Sequence, residues 1–302
     1  MHPQNDIFIM RKLKFALFGN IYQARKSVAV QKLLSLLEER GAQLLIDQAF
    51  LHYLTSDMKI NVKPNAIIKG DDFEADVAIS MGGDGTFLET ARRVGPKGIP
   101  ILGINVGRLG FLADVSPDEI GSAISQIYEG SYEAEARSVI ELSYSTGSPQ
   151  GSPFALNEVA VLKRDNSSMI SIRVDINGEY LATYQADGLI VNTPTGSTGY
   201  ALSNGGPIMH PTSRALGIIP VAPHSLSIRP ITVTDDAEIT LRVTARNHNF
   251  LVAIDGRSEK CTEDVVLTIR RAPHYINVLK RPGLSFFRTL RTKLAWGADP
   301  RE

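Results

Sequence analysis

The sequence has very little cysteine: Cys261 is the only one among 302 residues. A single cysteine excludes an intramolecular disulfide, and no cysteine-based zinc site can be built around it. Both exclusions favour a reducing, cytoplasmic setting. The chain also lacks an apolar run long enough to span a bilayer, and its N-terminal segment contains no signal-like apolar stretch. We therefore expect a soluble protein with no membrane partner.

Net charge is absent as well, because 32 Lys and Arg residues balance 32 Asp and Glu residues. A chain without a basic excess is not expected to bind nucleic acid through a general charge field. The hydrophobic fraction of 43% excludes a disordered chain and suffices for a large core. The length suits two ordinary domains. Composition thus predicts a folded, two-domain protein.

The first part of the chain alternates strand-like and helix-like patterns. They lie, in the order strand, helix, strand, strand, at residues 13–20, 23–40, 76–80 and 99–106. The segment "TFLETARRV" between the last two strands reads as a short helix. Ser116 and Glu119 form a predicted capping box at the start of a further helix. Strands alternating with helices predict a parallel sheet covered on both faces.

From residue 137 the pattern changes to short strands separated by turn residues. Asn177 and Gly178 stand between two alternating runs, which is a strong hairpin signal. The last residues return to helical spacing, and "TLRTKLAW" reads as a solvated helix face. We predict a fold of the α/β plus all-β class. It comprises a doubly wound parallel-sheet domain (1–136), a β-sandwich domain (137–281) and a helical segment that packs back on the first domain (282–302).

The segment "MGGDGT" lies between a predicted strand and a predicted helix. Gly82, Gly83 and Gly85 would let backbone amides approach a phosphate near a helix N-terminus, at the sheet edge where open α/β folds bind ligands. The carboxylate of Asp84 would repel phosphates unless it held a cation or accepted a proton from an attacking hydroxyl. A tight turn with an aspartate cap is the alternative.

A second glycine turn, "GINVGRLGFL", follows the next predicted strand. Gly107 and Gly110 flank Arg108, which could pair with phosphate, although a solvated arginine is the simpler interpretation. Because parallel strands end at the same edge of a sheet, the two glycine turns together predict a ligand-binding crevice.

The second half contains an uncharged run of small and hydroxyl residues, "TPTGSTGYALSNGGPI". Such a run buries little apolar surface and follows a buried strand, which favours a ligand-cradling loop over a linker. Asn157 and Glu158 interrupt an apolar strand, and Asp187 forms an acid-glycine step; these side chains suit ribose hydroxyls or base edges. His224 could contact phosphate. The alternatives are a strand-end or edge position for the Asn-Glu pair, an ordinary turn at Asp187 and a structural role for His224.

Four segments, in this order, resemble the signature segments of the NAD kinase family: "GGDGTFLETAR", "GINVGRLGFLADV", "LNEVAV" and "DGLIVNTPTGSTGYALSNGGPI". The likeness covers most of the chain, from Phe15 to Arg281. "GGDGT" alone is weak, because diacylglycerol, sphingosine and phosphofructokinase-type kinases carry similar turns. The resemblance implies phosphoryl transfer from ATP, with a divalent cation such as Mg²⁺, to the 2′-hydroxyl of the adenosine ribose of NAD, giving NADP. It also implies a homodimer or homotetramer whose substrate site takes residues from a neighbouring subunit.

The resemblance also implies roles for individual residues. Asp84 matches the catalytic acidic residue, acting as general base on that hydroxyl or organising the metal and phosphates. The residues implied to contact NAD are Asp84, Gly85, Asn157, Glu158, Gln185, Asp187, Thr198, Gly199, Tyr200, Ala201, Leu202 and Ser203. Those expected at the phosphates of ATP are Gly82, Gly83, Gly85, Thr86 and His224. Ser197 is a further expected hydrogen-bonding residue of the adenine loop.

Two departures from the family pattern stand out. The family usually has alanine at the position of Gly199, so this loop is expected to be looser. Glu89 and Gln185 stand where many members carry a basic or another polar residue; Glu89 receives no role, and Gln185 only a contact. A lipid or other small-molecule kinase and a non-catalytic dinucleotide sensor are the competing functions. The polar loop argues against the first, and Asp84 argues against the second.

Overall fold

A computed structural model of the chain describes residues 12–19, 27–107, 110–164, 168–283 and 285–297. Arg108, expected near phosphate, lies outside these ranges. The chain divides into two compact units: Met1–Ala134 with Val278–Glu302, and Glu135–Asn277. No helix within the described ranges is long and apolar enough to cross a membrane.

The first unit contains a parallel sheet. Its strands are β1 (Lys14–Gly19), β2 (Gln43–Asp47), β3 (Ala66–Ile68), β4 (Val77–Gly82) and β5 (Ile101–Asn105), and its helices before the second unit are α1 (Ser27–Glu39), α2 (Gln48–His52), α3 (Asp84–Val94) and α4 (Ile120–Glu129). The strand order is β5-β4-β1-β2-β3, with every neighbouring pair parallel. The order reverses between β1 and β4, so a ligand crevice is expected at their carboxyl ends.

Burial explains why these segments form their elements. All six residues of β4 are buried, as expected for a strand covered on both faces. Helices α1 and α4 pack together over the sheet, whereas α3 contacts β1, β4 and β5. The predicted capping box is present: the backbone N–H and the hydroxyl of Ser116 donate to Glu119 Oε2 at 3.0 and 2.6 Å.

The second unit is built from antiparallel strands. They are β6 (Glu133–Tyr144), β7 (Phe154–Ala155), β8 (Glu158–Leu162), β9 (Ile170–Ile176), β10 (Glu179–Ala186), β11 (Gly188–Asn192), β12 (Ala215–Val221), β13 (Ile231–Thr234), β14 (Ile239–Thr244), β15 (Asn249–Ile254), β16 (Arg257–Thr262) and β17 (Leu267–Lys280). One sheet has the order β13-β12-β11-β8-β15-β16, and the other contains β10-β9-β14-β17 with β6 and β7. Alternate residues of both sheets form one core. The predicted α/β plus all-β fold class is confirmed.

Two short helical elements complete the fold. Helix α5 (Tyr200–Ser203) lies in the uncharged loop, and its Ala201 packs on the outer face of the β8-β11-β12 sheet. Helix α6 (Phe286–Leu294) follows β17 and belongs to the first unit. The predicted hairpin is present between β9 and β10, where Asn177 and Gly178 have φ angles of 51° and 82°.

Candidate active site

The glycine turn of the first unit joins β4 to α3 at the reversal point of the sheet. Gly83 is the N-cap of α3 and provides no capping side chain. A methyl group at Gly82 would overlap the side chain of Thr86, so the first turn of α3 packs directly on the strand end. The turn therefore combines backbone groups without side-chain cover and a helix N-terminus, which together favour anions.

Asp84 is held firmly by the chain that follows β5. Its Oδ2 accepts a hydrogen bond from the backbone N–H of Phe111 at 2.7 Å, and its Oδ1 accepts from Leu112 and Ala113 at 2.9 and 3.2 Å. Three N–H donors stabilise a carboxylate and fix its orientation. Each carboxylate oxygen has about two acceptor sites, so Oδ2 can still accept a proton or a ligand hydrogen bond.

Gly110 allows this close approach. A methyl group at Gly110 would overlap the Asp84 carboxylate, so no side chain fits there without displacing Asp84. The two glycine turns predicted from the sequence thus meet at one carboxylate.

Lys293 of α6 places a cation near the same carboxylate. Its Nζ is buried, has no hydrogen-bond partner in the part of the chain that the structure describes, and lies 5.0 Å from the ring centroid of Phe111. Burial lowers the pKa of Lys293 to about 8, although the charges of Asp84 and Asp114 oppose that shift. The predicted solvated face of this segment includes the exposed Arg291 and Thr292 but not the Lys293 ammonium, which is buried. Sequence periodicity does not identify which lysine faces inward.

A cleft of about 810 Å³ opens beside the glycine turn. It is lined on one side by Gly85 and Thr86 and on the other by the ends of β1 and β2. The exposed basic side chains of His52 and Lys69 also line it. Glu89 lies at its rim and forms an ion pair with Arg92 at 2.6 Å. The position, at the carboxyl edge of the parallel strands, is where nucleotides bind in open α/β sheets.

In the second unit, Asn157 and Glu158 lie together against the uncharged loop. Asn157 Oδ1 and Glu158 Oε2 are buried and lack hydrogen-bond partners within the described residues. The position of a methyl group on Gly199 would be 3.2 Å from Glu158 Oε2 and 3.3 Å from Asn157 Nδ2. Burial, followed by the charge of Asp255, raises the pKa of Glu158 to about 7. Two buried acceptors without donors are costly unless a ligand supplies the donors.

The loop itself is held by internal hydrogen bonds. The Ser197 hydroxyl donates to Pro194 O at 2.7 Å and accepts from Met209 N at 3.0 Å, so this buried side chain serves the loop. The Thr193 hydroxyl donates to Leu156 O at 2.5 Å, which connects the loop to the bend that precedes β8. The other predicted loop residues differ in exposure: Thr198, Gly199 and Leu202 are half-buried, Tyr200 and Ser203 are exposed, and Ala201 is buried.

Gln185, Asp187 and His224 lie elsewhere in the second unit. His224 N donates to Gln185 O at 2.8 Å, and Asp187 forms an ion pair with Lys163 at 2.7 Å. Asp187 precedes β11 at the end that pairs with Leu162, whereas Glu158 pairs with the other end. Asp187 lies five residues before Asn192, which is the strand partner of Glu158. At about 3.3 Å per residue, roughly 16 Å therefore separates Asp187 from that position within one chain.

Sequence reasoning missed Asp255. Its carboxylate accepts hydrogen bonds from Leu156, Asn157 and Glu158. It stands in "FLVAIDG", an acid-glycine step after a buried strand. Because "GGDG" and "QADG" show the same pattern, the signal was present in the sequence.

The described residues contain no group of three or more His, Cys, Asp or Glu side chains that could bind a metal ion. Both oxygens of Asp84 already accept backbone hydrogen bonds. The residues that the structure describes therefore do not form a protein-only metal site, and none of them is assigned as a ligand. Mg²⁺ commonly binds through substrate phosphates and water with few protein ligands.

Comparison with known proteins places this geometry in a family. The ATP-NAD kinase N-terminal domain matches residues 15–132, and the ATP-NAD kinase C-terminal domain matches residues 156–281. The NAD kinase of Bacteroides fragilis is 59% identical over 289 residues, covering 96% of this chain and all of that protein. The NAD kinase of Porphyromonas gingivalis is 42% identical, covering 95% of this chain and 99% of that protein.

Solved structures agree. An NAD kinase from Archaeoglobus fulgidus in complex with ATP is 26% identical, with a TM-score of 0.72, and the match covers 94% of this chain and 99% of that one. Yeast NADH kinase complexed with NADH shares the fold, with a TM-score of 0.85 at 20% identity over 99% of this chain and 94% of that one. From these matches and both domain assignments, the chain belongs to the NAD kinase family.

Proposed function

We propose that the chain transfers the γ-phosphoryl group of ATP to the 2′-hydroxyl of the adenosine ribose of NAD, giving NADP and ADP. The observation that carries the NAD part of this proposal is the pair of unpartnered, buried oxygens on Asn157 and Glu158 beside the uncharged loop. Ribose hydroxyls and an adenine amino group are the donors that such oxygens need. The loop is free of bulk because a flat base must approach its backbone.

The proposal assigns contacts with NAD and with the phosphates of ATP to individual residues. We assign the NAD contacts to Asp84, Gly85, Asn157, Glu158, Gln185, Asp187 and the loop residues Thr198, Gly199, Tyr200, Ala201, Leu202 and Ser203. We assign the phosphates of ATP to Gly82, Gly83, Gly85, Thr86 and His224. Support for the phosphate assignment comes from the helix N-terminus and the cleft beside it.

Asp84 is the catalytic residue of this proposal. The ribose oxygen attacks the γ-phosphorus, the bond from that phosphorus to the bridging oxygen breaks, and ADP leaves with the electron pair. Asp84 accepts the hydroxyl proton. Its hydrogen bonds to Phe111, Leu112 and Ala113 hold the carboxylate in one orientation, and such positioning is the main protein contribution to phosphoryl transfer.

A divalent cation, Mg²⁺, is part of the proposal as a component of the ATP complex. When bound, it neutralises phosphate charge. We also propose a cytoplasmic location and a homodimer or homotetramer. The separation of Asp187 from Glu158 along β11 supports the oligomer, because a second copy could bring one end of β11 to the NAD site of the first.

The test is product formation by the purified chain with ATP, Mg²⁺ and NAD, read by a dehydrogenase specific for NADP. A parallel reaction replaces NAD with diacylglycerol in vesicles and measures ADP. NADP formation without diacylglycerol-dependent ADP is the expected result. NAD binding without any NADP would favour a sensor, and diacylglycerol-dependent ADP would favour a lipid kinase.

A further inference from the structure

Asp255 follows β15 and adopts a left-handed backbone conformation, with φ of 46°. Aspartate tolerates this conformation better than most residues. Its Oδ2 accepts a hydrogen bond from Leu156 N at 2.7 Å, and its Oδ1 accepts from Asn157 N at 2.8 Å and Glu158 N at 3.1 Å. The carboxylate therefore binds three consecutive amides.

A return hydrogen bond completes the connection. Asp255 N donates to Glu158 O at 3.0 Å, so the turn after β15 and the start of β8 are joined in both directions. Burial raises the pKa of Asp255, while the three amides and the charge of Arg257 oppose that shift. Because both oxygens act as acceptors, the geometry is that of the ionised form.

The amides held in this way belong to the residues that carry the unpartnered oxygens. These residues form the bend that leads into β8, and the backbone sets the direction of each side chain, so fixing residues 156–158 fixes where Asn157 and Glu158 point. The same arrangement occurs at Asp84, which binds the amides of residues 111–113. In each unit a carboxylate organises three consecutive amides.

We propose that Asp255 is a positioning residue for NAD: its carboxylate fixes the backbone of residues 156–158 and thereby directs the free oxygens of Asn157 and Glu158 at the dinucleotide. This inference rests on the proposed function. The charge of Asp255 has a second consequence, because it raises the pKa of Glu158 and so favours a protonated side chain near neutral pH.

The test compares Asp255→Asn with Asp264→Asn, the same isosteric change at an exposed turn of the same unit. In Asp255→Asn the side-chain amide nitrogen must face at least one backbone N–H, so at least one of the three hydrogen bonds to residues 156–158 is lost. We expect KM and the calorimetric Kd for NAD to rise at least tenfold, with a smaller change in KM for ATP. Asp255→Gly, which fits the positive φ without strain, should behave alike.

The second measurement is the pKa of Glu158, obtained by ¹³C NMR titration of its carboxyl carbon. This pKa would not change if the substitution only made the backbone less rigid. Asp255, Arg257 and the backbone N–H of Tyr200 are the groups that act on this pair of carboxyls. Removing the negative charge of Asp255 should shift the pKa of Glu158 from about 7 towards the usual range of a glutamate. Asp264→Asn should leave it unchanged.

The outcomes separate the inference from the proposed function. If the wild type forms no NADP, the proposed function fails, and calorimetry with NAD still tests Asp255. If both Asp255 variants fold and bind NAD like the wild type, the inference is overturned. If neither variant folds, amide hydrogen exchange in the wild type is the deciding measurement. Slow exchange at the amides of 156–158 is expected if they are bonded to Asp255, and rapid exchange would overturn the inference.

Discussion

Single carboxylates held by backbone amides are the residues on which this account depends. Asp84 and Asp255 each accept three amide hydrogen bonds, and glycine provides the space at Asp84. A small change beside either carboxylate should therefore act on function more strongly than on the fold.

Gly110→Ala tests the space at Asp84. The added methyl group would overlap the carboxylate, so Asp84 must move. Because misplacing a reacting group by about 1 Å can cost on the order of 10²-fold, we expect turnover to fall by about that factor. The measurement is kcat for NADP formation.

Gly70→Ala is the matched control, because a methyl group there meets no atom within 4 Å. It should retain wild-type turnover. Equal turnover in Gly110→Ala and Gly70→Ala would show that the position of Asp84 does not limit the reaction.

Glu158→Gln tests the raised pKa of the buried Glu158 carboxyl through its effect on the free energy of unfolding. The pKa of Glu158 in the folded chain, about 7, exceeds the ordinary value of 4.5, so the folded state holds the proton more tightly between these pH values. The contribution of Glu158 to the free energy of unfolding therefore falls as pH rises from 4.5 to 7, and the variant lacks this contribution. The difference between the two proteins should change by about 3 kcal/mol across that window.

Urea unfolding at several pH values measures this difference. A constant difference between wild type and variant from pH 4.5 to 7 would contradict the raised pKa of Glu158.

Composition and spacing in the sequence were sufficient to identify some of the site residues but not others. Asn157 and Glu158 are recognisable because a polar pair stands beside an apolar run, although the structure places the pair at the start of β8 and not within it. Lys293 is not recognisable, because its burial depends on contact with Phe111, which lies far away in the sequence. Asp255 carries a visible acid-glycine step, but its partners at 156–158 lie about a hundred residues earlier.

Helix α6 shows how an element can add a charge to a site. Its C-terminal turn carries Lys293, whose buried ammonium has no hydrogen-bond partner among the described residues. The pKa of about 8 lies below the ordinary 10.5, so the unfolded chain binds this proton more tightly. The contribution of Lys293 to the free energy of unfolding should therefore rise with pH between these values, and Lys293→Met should lack this contribution.

The same substitution should increase the unfolding temperature at pH 7, because a buried ammonium without a hydrogen-bond partner in the described part of the chain is replaced by an apolar side chain. Arg291→Met, at an exposed position of the same helix, is the control. Thermal unfolding from pH 7 to 10 measures both effects. Parallel curves for wild type and Lys293→Met would contradict the account of this lysine.

Secondary structure was predictable where periodicity is strong. Strands β1, β4 and β5, helix α3 and the β9-β10 hairpin all occur where the patterns predict them. Helix α1 is described from Ser27, and the earlier residues of that predicted helix lie outside the described ranges. The patterns "DVVLTIRR" and "YINVLKR" predict two strands, but β17 continues through Pro273. Proline reads as a break, yet it lies between the segments that pair with β14 and β5.

At the scale of the whole molecule, the change of rhythm near residue 137 was enough to predict an α/β domain and an all-β domain. The second compact unit ends at Asn277, and the chain returns to the first unit at Val278, inside β17. Strand periodicity does not change there, so local sequence carries no signal for that division. The short helices in the uncharged loop are also beyond periodicity, because each is too brief to complete a pattern.

The central claim is that this NAD kinase family chain phosphorylates NAD through Asp84, and single-turnover NADP formation by Asp84→Asn tests it most directly. Circular dichroism first establishes that the variant is folded, because asparagine keeps only one of the two acceptor oxygens and carries no charge, so the three hydrogen bonds are weakened or broken. We predict a rate several orders of magnitude below that of the wild type. A folded Asp84→Asn protein that forms NADP at a near wild-type rate would contradict the account.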